Sequence, residues 1–196
     1  MALGAEILLS TGRVHADAPI RVSIPVATRG ENDLRSNTTT GVSIAVEADA
    51  DGRVSDLREV RRRSKEAFGR IGTAPSPAKA LEPLAQLLPD PVVARMARSS
   101  PVPLCLCSNL GTVPDDYAAP LGVPASSVVL RSVTRGVTRA MLRARGGGVS
   151  LWLTRTGDTV ALAVLGLDPD HFPGDDTLRT HVRKVLDARG ITTTMW

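Results

Sequence analysis

The stretch Val149 to Asp168, "VSLWLTRTGDTVALAVLGLD", constrains the fold of this chain more than any other. Two apolar runs flank Arg155-Thr156-Gly157-Asp158, a tetrapeptide rich in turn formers, so an antiparallel hairpin is expected. A hairpin alone is marginal in water and needs more strands, or a helix on its apolar face. The rest of the sequence must supply that cover.

Two further strands are expected from alternation. Val22, Ile24 and Val26 mark one over Ile20 to Ala27, and Val42, Ile44 and Val46 mark another over Thr40 to Val46. Pro25 cannot donate to a ladder, which points to an edge position or a strand end. "VPLCLCSNLG" suits a strand that delivers a loop at Ser108-Asn109-Leu110-Gly111, and "SSVVLRSVTRGV" suits another strand, reached through the irregular "VPDDYAAPLGVPA".

Helical stripes stand between these strands. An amphipathic helix is expected over Leu3 to Leu9, ending near Gly12. A second begins at Ser55 as N-cap, carries Leu57, Val60, Ala67, Phe68 and Ile71 on one side, and stops at Gly72. The last, in "DDTLRTHVRKVLDARG", is capped by Asp175 or Asp176, striped by Leu178, Val182, Val185 and Leu186, and stopped by Gly190. Residues of about 73–103 contain Pro75, Pro77, Pro83, Pro89 and Pro91 and form a Pro-rich helical connector, with Pro83 and Pro89 interrupting or capping its short helices. These elements make an α+β fold of mixed α/β layers, with a mixed or mostly antiparallel sheet and helices packed on it. With 196 residues, a single domain over 1–196 is expected.

Several function classes are disfavoured. No apolar run approaches the roughly 18 to 20 residues that span a bilayer. The start "MALGAEILLSTGRVHAD" has no basic region before its apolar centre and no small-residue cleavage site after it, so no signal peptide is expected and a cytoplasmic location follows. Cys105 and Cys107 share one strand face and are read as reduced, packed thiols, with no metal partner at suitable spacing. "RGGGVS" precedes a strand and is a turn, not a phosphate cradle. The net charge of +4 is a weak pointer to anions, and 3% aromatic residues leave no stacking platform, so no nucleic acid partner is expected. Arg58, Arg61, Arg62, Arg63, Lys65 and Arg70 are read as the solvated face of their helix.

The order of the pieces resembles the C-terminal half of the coenzyme-A-dependent acyltransferase superfamily, which includes the wax ester synthase/diacylglycerol acyltransferases and the condensation domains of peptide synthetases. Pro25-Val26, Arg29, Asn37 and Thr38 match its strand, loop and Asn-initiated strand. "LCSNLG" is similar to the Ser-Asn-x-x-Gly loop of the wax ester synthase branch, with Gly111 one place early. The last hairpin and helix are similar to the family's ending. The resemblance implies a chloramphenicol-acetyltransferase-like half-domain, with acyl-coenzyme A as co-substrate and no resident cofactor. Asn37, Thr38, Ser108, Asn109 and Gly111 would line or brace a tunnel. Asn37 as a turn cap and Asn109 bonding its own backbone are the plain alternatives.

The family's general base is the histidine of an HHxxxD motif in the other half-domain, and this sequence has no His-His pair. "HFPGD", His171 to Asp175, spells HxxxD but falls before the last helix, where Asp175 is better explained as a cap. His15 and His181 are read as surface residues. No catalytic residue is therefore assigned. The leading reading is an acyltransferase-like half-domain: a fragment of a longer acyltransferase, a subunit completed by a complementary N-terminal half-domain chain or as a homodimer, or a degenerate non-catalytic relative. The alternative is a non-catalytic binding or assembly module that engages an acyl carrier or partner protein through its sheet face, with peripheral membrane contact open to either.

Overall fold

The structure is a computed structural model that describes residues 1–30, 32–34, 38–72, 87–99, 103–130 and 133–196. In chain order the elements are α1 (Ala2–Ser10), β1 (Ile20–Ala27), β2 (Thr39–Val46), α2 (Leu57–Gly69), α3 (Asp90–Ser99), β3 (Cys105–Thr112), α4 (Asp115–Ala118), α5 (Arg139–Arg145), β4 (Val149–Thr156), β5 (Thr159–Gly166) and α6 (Asp175–Ala188). The strands form a five-stranded sheet in the order β2-β1-β3-β4-β5. Its outer pairs, β1–β2 and β4–β5, are antiparallel hairpins, and β1–β3 and β3–β4 are parallel. The sheet is thus mixed, and the hairpin expected over Val149 to Asp168 is present.

Among the described residues β1 and β3 pair at two positions, Val22 with Cys105 and Ser23 with Leu106. Pro25 explains where that pairing stops. Thr28 N donates to the Thr38 carbonyl at 2.7 Å, so with the β1–β2 register the even residues of β1 bond to β2 and the odd ones face β3. Residue 25 should therefore donate to β3, and proline has no N–H to give. Pro25 lies in an interior strand, beyond its last pair with β3.

Side chains on one sheet face form the core. Ile20, Val22, Ile24, Ile44 and Val46 of the first hairpin join Cys105, Cys107, Val149 and Leu151, and the helices add Leu8, Val60, Val182, Val185 and Leu186. The expected amphipathic helix at the N-terminus corrects to a central one. Gly4, Ala5, Glu6, Ile7 and Leu8 are all buried, because α1 is covered by the sheet on one side and packs against α6 on another. Gly4 permits this approach: a Cβ there would stand 2.5 Å from Cys105 Sγ and 2.9 Å from Leu151 Cδ1.

Glu6 is the buried charge that this packing must satisfy. Val54 N donates to its Oε1 at 2.7 Å, and Arg189, just past α6, donates from Nε to Oε2 at 2.7 Å and from Nη2 to Oε1 at 2.6 Å. Arg189 Nη2 also reaches the Val54 carbonyl at 3.0 Å. One carboxylate thus ties α1, the segment before α2 and the end of α6.

Other expectations change in detail. Asp56, not Ser55, caps α2, accepting from Glu59 N at 2.9 Å. Gly174 occupies the N-cap of α6, and Asp175 and Asp176 fall in its first turn, where they favour the helix dipole. The strand expected in "SSVVLRSVTRGV" is not formed among the described residues. Instead Thr154 Oγ1 donates to the Val128 carbonyl at 2.8 Å, holding an unpaired segment across the sheet face opposite the helices. An unexpected helix, α5, follows: Thr138 caps it by accepting from Met141 N at 3.2 Å, and Gly146 closes it. Of the Pro-rich connector, residues 73–86 and 100–102 lie outside the described residues; α3 occupies part of the remainder.

Gly4→Ala should gain about 1 kcal/mol of helix propensity, but overpacking against Cys105 and Leu151 costs about 1–3 kcal/mol. We therefore predict a lowered urea midpoint, partly restored by Cys105→Ala in the same chain. An unchanged or raised midpoint for Gly4→Ala would contradict the close α1–β3 contact.

Candidate functional site

Register places the expected site residues at one end of the sheet. Thr38 precedes β2, opposite the end of β1, and Ser108, Asn109 and Gly111 occupy the second half of β3. Because β1 and β3 run parallel, both groups stand at the carboxyl end of these strands, beyond the last β1–β3 pair, Ser23 with Leu106. Asn37 lies outside the described residues. Ser108–Gly111, expected as a loop, is instead strand with an irregularity, since the register with β4 shifts between Asn109 and Thr112.

Each residue has a definite local role. The Thr38 carbonyl accepts from Thr28 N and from Thr28 Oγ1, both at 2.7 Å, closing the β1–β2 connection at its base. Ser108 is half-buried, pairs with Trp152 of β4 and belongs to the sheet face opposite the helices. Asn109 accepts from Gly111 N through its Oδ1 at 3.0 Å, so the plain alternative for this residue is observed. Gly111 has φ +75°, which a residue with a Cβ adopts only with strain. Together they bend β3 and leave Leu110 46% exposed at the sheet end. Chemically this region offers a hydroxyl and apolar side chains, and among the described residues named here no acid or base.

Histidine chemistry sits at the other end. β5 runs back to the start of β4, so Asp168 and His171 follow it at the amino ends of β1, β3 and β4, roughly 20 Å of strand from Gly111. Asp168 is buried. Its Oδ2 lies 2.9 Å from His171 Nδ1, and its Oδ1 accepts from Asp170 N at 3.1 Å and His171 N at 3.3 Å. Arg13 Nε stands 2.8 Å from the same Oδ2, an ion pair whose angle gives no hydrogen bond. His171 is therefore oriented by Asp168, three residues before it, rather than by Asp175. The spacing Asp-x-x-His was visible in the sequence and was passed over for His-x-x-x-Asp.

His181 corrects from surface to half-buried. Its Nδ1 lies 2.9 Å from Ser10 Oγ, and its ring meets Phe172 edge-on at 6.1 Å. Burial, then the charges of Lys184 and His171, hold its pKa below the ordinary histidine value. Ser10 Oγ also donates to the Ile7 carbonyl at 2.7 Å, so the pair holds α1 to α6 and leaves the hydroxyl committed. His15 is exposed, as expected.

Cys105 and Cys107 are buried with their sulfurs 3.7 Å apart. Mutual hydrogen bonding and then burial push the Cys105 thiol up, and its S–H favours the thiolate at Cys107. Among the described residues no group of three or more His, Cys, Asp or Glu is placed to hold a metal, and no helix is long and apolar enough to cross a membrane. Open grooves of about 300 and 410 Å³ run along the outer side of α6, lined by groups such as Arg183, Lys184 and Asp187, away from Thr38 and Ser108. On α2, Arg62 and Arg63 are engaged by Glu59, and Arg63 also by Glu47 at 2.8 Å, as suits a solvated helix face.

No protein-family model and no curated protein matches the sequence. A solved structure from work on condensation domain-mediated chain release from the enacyloxin polyketide synthase is similar over 100% of this chain and 36% of its own, with 14% identity and a TM-score of 0.45. The chain thus spans about a third of the length of that structure.

We predict that Gly111→Ala costs about 1–2 kcal/mol from left-handed backbone strain, whereas Asn109→Ala costs about 1 kcal/mol or less for an exposed hydrogen bond. Chemical denaturation checks the ranking. The reverse order would mean that the bend in β3 is not held by Gly111.

Proposed function

We propose that the chain is an acyltransferase-like C-terminal half-domain of the wax ester synthase/diacylglycerol O-acyltransferase type, forming one wall of an acyl-coenzyme A and acceptor tunnel. The observation that supports this reading is the end of the β1–β3 pairing after Ser23 and Leu106, with Thr38 beside the end of β1 and Ser108 to Gly111 in the second half of β3, at one end of the sheet. An acyl chain or pantetheine arm entering there meets Leu110. Asn37 belongs with this wall by its place in the sequence.

The chain is not catalytic alone in this reading. Thioester transfer to a hydroxyl needs a base beside the acceptor, and the oriented His171 stands at the opposite end of the sheet. The base would come from a complementary half-domain chain that carries the HHxxxD motif, with acyl-coenzyme A as co-substrate. A second reading, an assembly module for a carrier or partner protein, is favoured by the sheet face opposite the helices, where Trp152 is only half-buried and Leu165 is exposed.

Thiol release from acyl-coenzyme A with an alcohol acceptor tests the proposal. The isolated chain should give none above background, and co-expression with an HHxxxD-bearing half should give turnover that Ser108→Trp lowers at least about tenfold with folding retained. Turnover by the isolated chain that His171→Ala abolishes would contradict the proposed division of labour.

A further inference from the structure

The two edges of the sheet are treated differently. At β2 the odd residues face outward, and the outward carbonyl of Ala45 is taken by Arg63 Nη1 of α2 at 2.8 Å. A charged side chain laid on an edge carbonyl obstructs the approach of another strand. β5 has no such guard among the described residues.

Register fixes which groups β5 presents. Leu167 N donates to the Gly148 carbonyl at 2.7 Å, so with the β4–β5 register the odd residues of β5 bond to β4, and Val160, Leu162, Val164 and Gly166 direct N–H and C=O outward. Among the described residues no backbone hydrogen bond reaches that outer edge. The strand, "TVALAVLG", holds no proline and no charge, the two commonest protections of an edge. Val160 is 56% exposed.

The sequence of this edge is its own mirror image. Val160-Ala161-Leu162-Ala163-Val164 reads the same in both directions about Leu162. An antiparallel copy with its two-fold axis at Leu162 sets Leu162 against Leu162, Val160 against Val164 and Ala161 against Ala163. The outward parity makes the Leu162 and the Val160–Val164 positions hydrogen-bonded pairs, about six backbone bonds across the seam. Their side chains all lie on the helix face, and both alanines lie on the other. Charge is compatible as well: Asp158, the one charged residue from 158 to 166, would stand opposite Gly166 of the second copy.

We propose that the outer edge of β5 is a self-pairing edge, through which two copies of this chain join into one continuous sheet about a two-fold axis at Leu162. The inference does not depend on the acyl reading. It names an isologous interface, in which each outward donor of one copy meets an outward acceptor of the other.

Light scattering after size exclusion, over a wide range of concentration, tests it on the full chain. A concentration-dependent dimer is expected. Val160→Pro removes an outward N–H that β4 does not use and should weaken the dimer at least about tenfold. Should that variant fail to keep its circular dichroism, Leu162→Cys decides. On the axis of a hydrogen-bonded pair its Cα atoms would be about 5.5 Å apart, within the roughly 4.4–6.8 Å of a disulfide, so mild oxidation should yield a covalent dimer. A chain that stays monomeric at the highest concentration, whether the edge then takes another protein or none, overturns the proposal. So does a dimer that Val160→Pro leaves intact and Leu162→Cys does not capture.

Discussion

Two residue pairs, Val22–Cys105 and Ser23–Leu106, hold the β1–β2 hairpin to the β3–β4–β5 unit, and the rest of the structure depends on that short parallel junction. Parallel pairing so brief cannot stabilise a sheet by its ladder alone. What secures it is α1, which lies over the junction with Gly4 against Cys105 and Leu151 and places Ala5, Ile7 and Leu8 in the same buried cluster. Glu6 then fixes α1 to Val54 and Arg189, so α1, the segment before α2 and the end of α6 share one buried carboxylate. Removing one partner of such a pair costs about 3–5 kcal/mol, since the other charge is left buried.

The same junction divides the molecule chemically. Its pairing stops before the carboxyl ends of β1 and β3, where the proposed acyl wall lies. At the amino ends the strands are sealed by Phe172, Asp168 and the α1–α6 contact, where polar side chains bond one another and serve the packing. The proposed wall, and histidines with satisfied partners, thus occupy opposite ends of one sheet.

What the sequence disclosed followed the range of the interactions. The last hairpin, the bounds of β1 and the α6 stripe rest on local alternation or helical period, and all are present, whereas of the α2 stripe Val60 is buried but Leu57 and Phe68 are exposed. The strand expected over "SSVVLRSVTRGV" had suitable residues, but its described part forms no ladder and crosses the sheet face opposite the helices, where Thr154 holds the Val128 carbonyl. The burial of α1 and the tie from Glu6 to Arg189 link positions at opposite ends of the chain, and no spacing rule reveals them. For the site, Thr38 and Ser108 to Gly111 were named from family resemblance, and their shared end of the sheet became visible only with the parallel register of β1 and β3. Asp168 was missed because a carboxylate after a strand is ordinarily a turn residue.

Amide hydrogen exchange along β1 tests the junction most directly. Ile24 and Val26 direct their amides to β2, Ser23 directs its own into the junction, and Ala27 lies beyond the last β1–β3 pair. The structure predicts protection at Ser23, Ile24 and Val26 and fast exchange at Ala27, beside a protected neighbour. Protection at Ala27 equal to that at Val26 would mean that β1 and β3 stay paired past Ser23, and the open wall proposed for acyl binding would not exist.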